Sequence, residues 1–398
     1  MPEQIVKRRS RGFICVNAHP QGCGRNVENW AAAAGSREKA AARPPRNVLI
    51  VGSSTGYGLA SRVVATFGYG AKTLGVFFER PPEGDTTATA GYYNTAAFHR
   101  LADGQGIFAA SLNGDAFSNE SKRAALEMIR ANMGPLDLVI YSLASPKRKD
   151  PDTGQVHTSV LKPLHHAFSS KTIELDSEKV VHVTLHSASK KETAETVAVM
   201  GGDDWRRWIA ALLEENLLAE GALSVAYSYI GPEVTWPIYR DGTIGQAKKD
   251  LEITARELDA VLRTRRGGGA RVSVNKAVVT QASSAIPIVP LYLSLLLPAM
   301  KMRGLEEGPL EQIERLFADY LFSERPAPLD EAGRIRLDDR ELRHEVQSEI
   351  QAKWPLVTTE NLRTLTDFAG YQQEFRRLFG FEVEGVDYGQ PVKTDLSW

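Results

Sequence analysis

A doubly wound α/β fold, a parallel sheet with helices on both faces, is predicted by three observations. Six short apolar runs are spaced through residues 47–280, amphipathic stretches separate them, and a glycine-rich turn follows the first run directly. The runs are "NVLIVG", "KTLGVFF", "GIFAASL", "LDLVIYSLA", "LSVAYSYIG" and "ARVSVNKAVVT". Near-continuous apolar runs of this length suit strands buried on both faces, joined by crossover helices. A chain of 398 residues with 42% hydrophobic content can bury the large core such a sheet needs.

Residues 1–46 are expected to form an extension packed on the main domain. Within them "AAAAGSREKAAARPPRN" predicts a short helix stopped by Pro44 and Pro45. "MPEQIVKRRSRGFICV" has a basic start but no apolar run long enough for a signal peptide. Cys15 and Cys23 have no second cysteine pair to complete a zinc site, so free thiols in a reducing cytoplasm are expected.

The dinucleotide-binding catalytic domain is placed at residues 47–300. A hairpin is predicted at residues 171–186, where "KTIELDSEKVVHVTLH" alternates apolar and polar residues around Asp176-Ser177-Glu178. The apolar segment Ala285–Met300 has three prolines and falls short of the roughly 20 residues a membrane span requires. It is expected to be a buried helix or the wall of an apolar pocket, with no integral membrane association. Residues 301–398 are charged and helical in pattern, as in "LEQIERLFADYLF", and should pack on the main domain. A formal charge of -1 provides no basic face for nucleic acid, which is excluded as a partner class.

"NVLIVGSSTGYGLASR" runs from a strand into a turn containing Gly52, Gly56 and Gly58 and then into a helix. Such glycines permit a tight turn and a close backbone approach to a pyrophosphate, which sits on the free amides of the helix N-terminus. The spacing Gly-x-x-x-Gly-x-Gly is the short-chain dehydrogenase variant, so the sheet is expected to be Rossmann-like. The second strand ends in Glu79, where a carboxylate can bind both adenosine ribose hydroxyls and repel a 2'-phosphate. That favours NADH over NADPH, although the adjacent Arg80 could accept such a phosphate. Asp115 and Ala116 at the third strand end, and Leu143 and Ala144 after the fourth, stand where ligands lie in open parallel sheets.

In "PIYRDGTIGQAKKD", Tyr239 precedes Lys248 by nine positions. Nine steps of about 100° would point the two side chains in opposite directions on one helix. Thr243 and Gln246 match a capping box, which predicts a helix start there with Tyr239 on the preceding loop. The stripe Ile244, Ala247, Leu251, Ala255, Leu258 and Leu262 would then be buried, with Lys248 entering on the same side and Lys249 turned out. A loop folding back could bring the Tyr239 phenol to the Lys248 ammonium, which would favour the phenolate and hold a nicotinamide ribose. Tyr239 could then donate to an oxygen that becomes negative as hydride arrives. A snorkelling lysine beside a core tyrosine is the bland alternative. Tyr229 could add a second phenol on the substrate side, or be core.

On these segments, together with "GFICVNAHPQGC", "YSLASP", "VMGG" and "FGFEVEGVDY", the whole chain resembles the FabV-type enoyl-acyl carrier protein reductases and the similar bacterial trans-2-enoyl-CoA reductases. Tyr-x8-Lys separates this family from the Tyr-x3-Lys of ordinary short-chain dehydrogenases and the Tyr-x6-Lys of other enoyl reductases. The resemblance implies NADH-dependent reduction of the C2–C3 double bond of a trans-2-enoyl thioester, carried on acyl carrier protein or CoA, by a cytoplasmic monomer. It implies that Tyr239 donates a proton or stabilises the enolate, that Lys248 binds NADH, and that Tyr229 contacts substrate. It assigns cofactor contacts to Gly52, Ser53, Ser54, Thr55, Gly56 and Tyr57, to Phe78 and Glu79, to Asp115 and Ala116, to Leu143 and Ala144, and to Ala277, Val278 and Val279. No metal is implied. The rivals are a carbonyl reductase or alcohol dehydrogenase using the same fold, and a non-catalytic NADH sensor, in which Tyr239 or Lys248 should be missing.

Overall fold

Alternate residues of each predicted run face opposite sides of one sheet, and both sides are covered, which is why the runs are apolar throughout. The computed structural model describes residues 3–11, 14–36 and 43–398. The six runs become strands β1 (Asn47–Val51), β2 (Lys72–Phe77), β3 (Ala109–Asn113), β4 (Leu136–Tyr141), β5 (Leu218–Ser228) and β6 (Gly269–Val274). A seventh strand, β7 (Ile335–Arg336), was not foreseen, because two residues in the charged stretch "GRIRLDD" leave no apolar run to detect. It pairs with Ser273 and Val274, so the region beyond residue 301 contributes to the sheet as well as adding helices. All neighbours are parallel, in the order β3-β2-β1-β4-β5-β6-β7.

The covering helices are α1 (Pro20–Ser36), α2 (Gly56–Val63), α3 (Ala90–Gly104), α4 (Asn119–Asn132), α5 (Lys190–Met200), α6 (Asp203–Glu214) and α7 (Thr243–Arg266). Val48, Ile50, Leu138 and Ile140 pack with α1, α2 and α3 on one face. Leu49, Val51, Val139 and Tyr141 pack with α4, α6 and α7 on the other. The third core gathers α8 (Val289–Lys301), α10 (His344–Lys353) and α11 (Phe368–Arg377), with α9 (Pro309–Arg315) joining the first face. The expected helix of the extension is present as α1 up to Ser36; residues 37–42 of that stretch lie outside the described residues.

Two local expectations differ in detail. The hairpin pairs Phe168–Glu174 with Lys179–Leu185, beginning three residues earlier than its alternation suggested, with Glu178 at φ 55° in its turn. Helix α7 does start at Thr243, but Gly242 is its N-cap and no capping box forms. Tertiary structure claims the Thr243 hydroxyl instead: it donates to the Val160 carbonyl and accepts the Lys162 amide at 3.3 Å. The predicted stripe Ile244, Ala247, Leu251, Ala255, Leu258 and Leu262 is buried throughout.

Candidate active site

Sheet order reverses direction between β1 and β4, and a crevice opens beyond their carboxyl ends at such a point. The glycine turn stands there. Gly52 has φ 90° and donates to the Val76 carbonyl, while Ser142 donates to Val51, so the ends of β1, β2 and β4 are stitched together. A β-carbon on Gly52 would stand 2.5 Å from the Ser142 oxygen, and one on Gly58 only 1.7 Å from the Gly52 oxygen. Only glycine fits at either position. Helix α2 begins at Gly56, and its first capped amide is Leu59, bonded to the Thr55 carbonyl at 3.1 Å. The amides of Gly56, Tyr57 and Gly58 therefore point out of the helix end, the arrangement an anionic pyrophosphate requires.

A cleft of about 760 Å³ opens over this turn, within the size range of small-molecule sites. Thr55, Gly56, Glu79, Val278 and Val279 line it, and so do Cys15 and Trp30 from the extension. Both cysteines are free and buried. Glu79 is held at the cleft by Ser54, whose hydroxyl donates to its Oε1 at 2.6 Å. The Glu79 backbone exchanges two 2.8 Å hydrogen bonds with the Asn113 side chain, which ties the β2 end to the β3 end. Burial raises the Glu79 pKa, opposed by hydrogen bonds from Ser54 and Thr89. Arg80, the alternative phosphate acceptor, donates to the Thr87 carbonyl at 3.2 Å. Phe78 is exposed beside it.

The other predicted cofactor residues ring the same strand ends, although the cleft does not extend to all of them. Asp115 and Ala116 follow β3, and the Ala116 carbonyl is fixed by Lys122 Nζ at 3.0 Å and Trp208 Nε1 at 3.2 Å. Lys122 is itself buried and paired with Asp204 at 2.7 Å. Leu143 packs against the core face of α4 and α6, and Ala144 is exposed. Ser53 is fully buried under the turn. Tyr57 donates to the Lys276 carbonyl at 2.8 Å and thereby joins the glycine turn to the loop carrying Ala277, Val278 and Val279.

Tyr239 and Lys248 both rest on the carboxyl end of β5. Lys248 Nζ donates to the Tyr227 carbonyl at 3.2 Å, and the Tyr239 ring meets Tyr229 edge-on with centroids 4.9 Å apart. Gly245 makes this possible: a β-carbon there would stand 2.4 Å from the Tyr239 carbonyl oxygen and 2.1 Å from that of Arg240, so the loop folds directly onto the first turn of α7. No hydrogen bond joins the phenol to the ammonium among the described residues. The electrostatics also differ from the expected phenolate. Burial, and after it the charge of Glu341, push the Tyr239 pKa upward, so the environment holds a neutral phenol. Burial lowers Lys248 to about 8.

Two residues of this centre were missed. Lys276 is buried and lines the cleft with Thr55 and Gly56 beside the glycine turn; its one sequence signal was a lysine two residues after the sixth strand. Glu341 is fully buried and accepts the hydroxyl of Tyr229 at 3.1 Å, yet "DDRELRHE" reads as a solvated charged stretch. The apolar helix α8 is mainly core, with Leu297 and Met300 reaching the cleft.

If Glu79 selects the cofactor, Glu79→Ala should narrow the preference for NADH over NADPH in kcat/KM by about 10- to 100-fold, as removal of one nearby like charge allows. An unchanged ratio would refute that role.

Comparison with known proteins points one way. A family model described as the trans-2-enoyl-CoA reductase catalytic region matches residues 86–322. The NAD(P)H binding domain of trans-2-enoyl-CoA reductase matches residues 5–84, and an enoyl reductase FAD binding domain matches residues 329–392. An enoyl-[acyl-carrier-protein] reductase [NADH] of Teredinibacter turnerae is 52% identical over 99% of this chain and 98% of its own length. Among solved structures, the trans-2-enoyl-CoA reductase of Treponema denticola in complex with NAD is 46% identical, covers 98% of both chains and has a TM-score of 0.94. The Clostridium acetobutulicum enzyme in complex with NADH is 42% identical, covers 99% of this chain and 98% of its own, and has a TM-score of 0.95.

Proposed function

The chain belongs to the family of trans-2-enoyl-CoA reductases and NADH-dependent enoyl-acyl carrier protein reductases, and from that membership we propose the residues that perform its reaction. The protein is an NADH-dependent oxidoreductase that reduces the C2–C3 double bond of trans-2-enoyl thioesters. The observation that carries the assignment of residues is the convergence of Tyr239 and Lys248 on the end of β5, beside the switch point that holds the glycine turn.

The site fits NADH on its own chemistry: free amides open α2, a carboxylate stands at the β2 end, and a lysine that donates to the Tyr227 carbonyl waits at the β5 end. When bound, NADH supplies the hydride that adds to C3. Gly56, Tyr57 and Gly58 would hold the pyrophosphate, Glu79 the adenosine ribose and Lys248 the nicotinamide ribose. The thioester oxygen gains negative charge as C3 is reduced, and the neutral Tyr239 phenol donates a hydrogen bond to it. Protonation at C2 completes the saturated acyl thioester. Residues 329–392 belong to the same body as the site. Their apolar side chains Val346, Ile350, Phe368, Tyr371 and Phe375 are core, and Glu374, Arg377, Leu378 and Phe379 share the cleft of the glycine turn.

The substrate's carrier is acyl carrier protein or CoA, and the enzyme is taken to act as a cytoplasmic monomer. No helix among the described residues is long and apolar enough to cross a membrane. The assay is NADH oxidation followed with crotonyl-CoA, a longer enoyl-CoA and a ketone. Enoyl-dependent oxidation is expected. Equal turnover of the ketone would favour the carbonyl reductase instead, and no turnover of any substrate would favour a sensor.

A further inference from the structure

The fully buried carboxylate of Glu341, on the loop between β7 and α10, joins three walls of the reaction centre. Its Oε1 accepts the hydroxyls of Tyr229 at 3.1 Å and Tyr292 at 2.6 Å, and its Oε2 accepts the Ala277 amide at 2.7 Å. Tyr229 follows β5, Tyr292 belongs to the apolar helix α8, and Ala277 lies on the loop after β6. Tyr292 is steadied in turn by Gln347 Nε2 at 3.2 Å. An ionised carboxyl group is an acceptor only, and here three donors converge on it.

The consequence is a division of labour between two touching phenols. A phenol has one proton to donate. Tyr229 gives its proton to Glu341, so toward a substrate it presents only lone pairs. Tyr239 meets the Tyr229 ring edge-on, and its hydroxyl has no hydrogen-bond partner among the described residues. We propose that Glu341 is a positioning residue for enoyl reduction: by accepting the Tyr229 proton it fixes the ring against which the Tyr239 phenol is set for the thioester oxygen, and it locks the cofactor loop and α8 to the same point. This rests on the enoyl reductase function proposed above. Burial raises the Glu341 pKa, opposed by the hydrogen bonds of Tyr292 and Ala277 and by the charge of Lys276 from the loop after β6; Asp338 from its own loop, Tyr57 and Tyr239 also interact with it.

The test is a double-mutant cycle with the full chain, using crotonyl-CoA and saturating NADH. Glu341→Gln and Tyr229→Phe should each lower kcat by about 10-fold, the scale of one lost hydrogen bond in a buried site. Because both variants weaken the same Glu341–Tyr229 contact, the double variant should lose about as much as the more damaging single. Tyr229→Phe should leave the KM for NADH within a factor of about 3, since the Ala277 amide keeps its own bond to Glu341 Oε2, a split that a general loss of structure would not produce. Multiplying losses, near 100-fold in the double variant, or unchanged kcat in both singles, would overturn the role. Should Glu341→Gln fail to fold, Tyr229→Phe decides alone, and an unchanged kcat there overturns the proposal. A wild-type protein that does not reduce crotonyl-CoA would remove the proposed function itself, and this inference with it.

Discussion

Tyr239→Phe is expected to lower enoyl-dependent NADH oxidation by about 10²- to 10³-fold, the range measured when one donor to a developing oxyanion is removed. The substitution deletes a single oxygen and keeps the ring that packs edge-on against Tyr229. Folding should be unaffected, because the Tyr239 hydroxyl holds no partner among the described residues. NADH affinity should also persist, since the glycine turn and Glu79 are untouched. The loss should fall on kcat and on kcat/KM for the enoyl thioester together, the signature of an interaction made only in the transition state. Retained turnover would show that the thioester oxygen is stabilised elsewhere.

Lys248→Met has the second large effect, and it acts in opposite directions on function and stability. Lys248 is half-buried, and its ammonium donates to one carbonyl and has no carboxylate partner among the described residues. An unpaired buried charge costs stability, so the methionine variant should melt about 1–3 °C higher at neutral pH. NADH should bind about 10- to 100-fold more weakly, as expected for lost hydrogen bonds from a charged group. The pH dependence follows from the lowered pKa. Native Lys248 releases its proton near pH 8, whereas the unfolded lysine keeps its proton to about pH 10.5. The destabilising charge is therefore fully present below pH 8, and wild-type stability from this group rises with pH between those values. The stability advantage of the variant should shrink across the same window. NADH affinity of the wild type should begin to fall above pH 8, as the ammonium is lost. Differential scanning calorimetry and fluorescence titration of NADH at pH 6.5, 8 and 9.5 check both directions, and a variant that melts lower at pH 6.5 contradicts the buried-charge account.

The strands that build the site were legible because burial on both faces leaves a continuous apolar signature, as in "LIV" of β1 and "LVI" of β4. The glycine turn was legible for a different reason: Gly52 and Gly58 are sterically obligatory where backbone meets backbone. The pairing of Tyr239 with Lys248 was readable only as a helix start with a folded-back loop, and Gly245, which permits the close approach, was not singled out. Thr243 shows how a local pattern yields to tertiary demand, since its hydroxyl serves the Val160–Lys162 segment rather than a capping box. Glu341 was beyond reach. A glutamate among charged neighbours looks solvated, and only the assembled packing of β5, α8 and the β6 loop around it makes it buried and triply bonded. Burial, and after it the charge of this same carboxylate, reversed the expected electrostatics of Tyr239, and neither is recorded in sequence order.

The central claim is that a phenol from the loop and an ammonium from α7 serve one reaction centre at the end of β5. A crystal structure of the ternary complex with NAD and an enoyl-CoA tests it most directly. The Tyr239 hydroxyl should lie within about 3.2 Å of the thioester oxygen, with Lys248 Nζ moved from the Tyr227 carbonyl onto the nicotinamide ribose. A thioester oxygen bound by other donors, or a Lys248 that stays on Tyr227 away from the ribose, would contradict it.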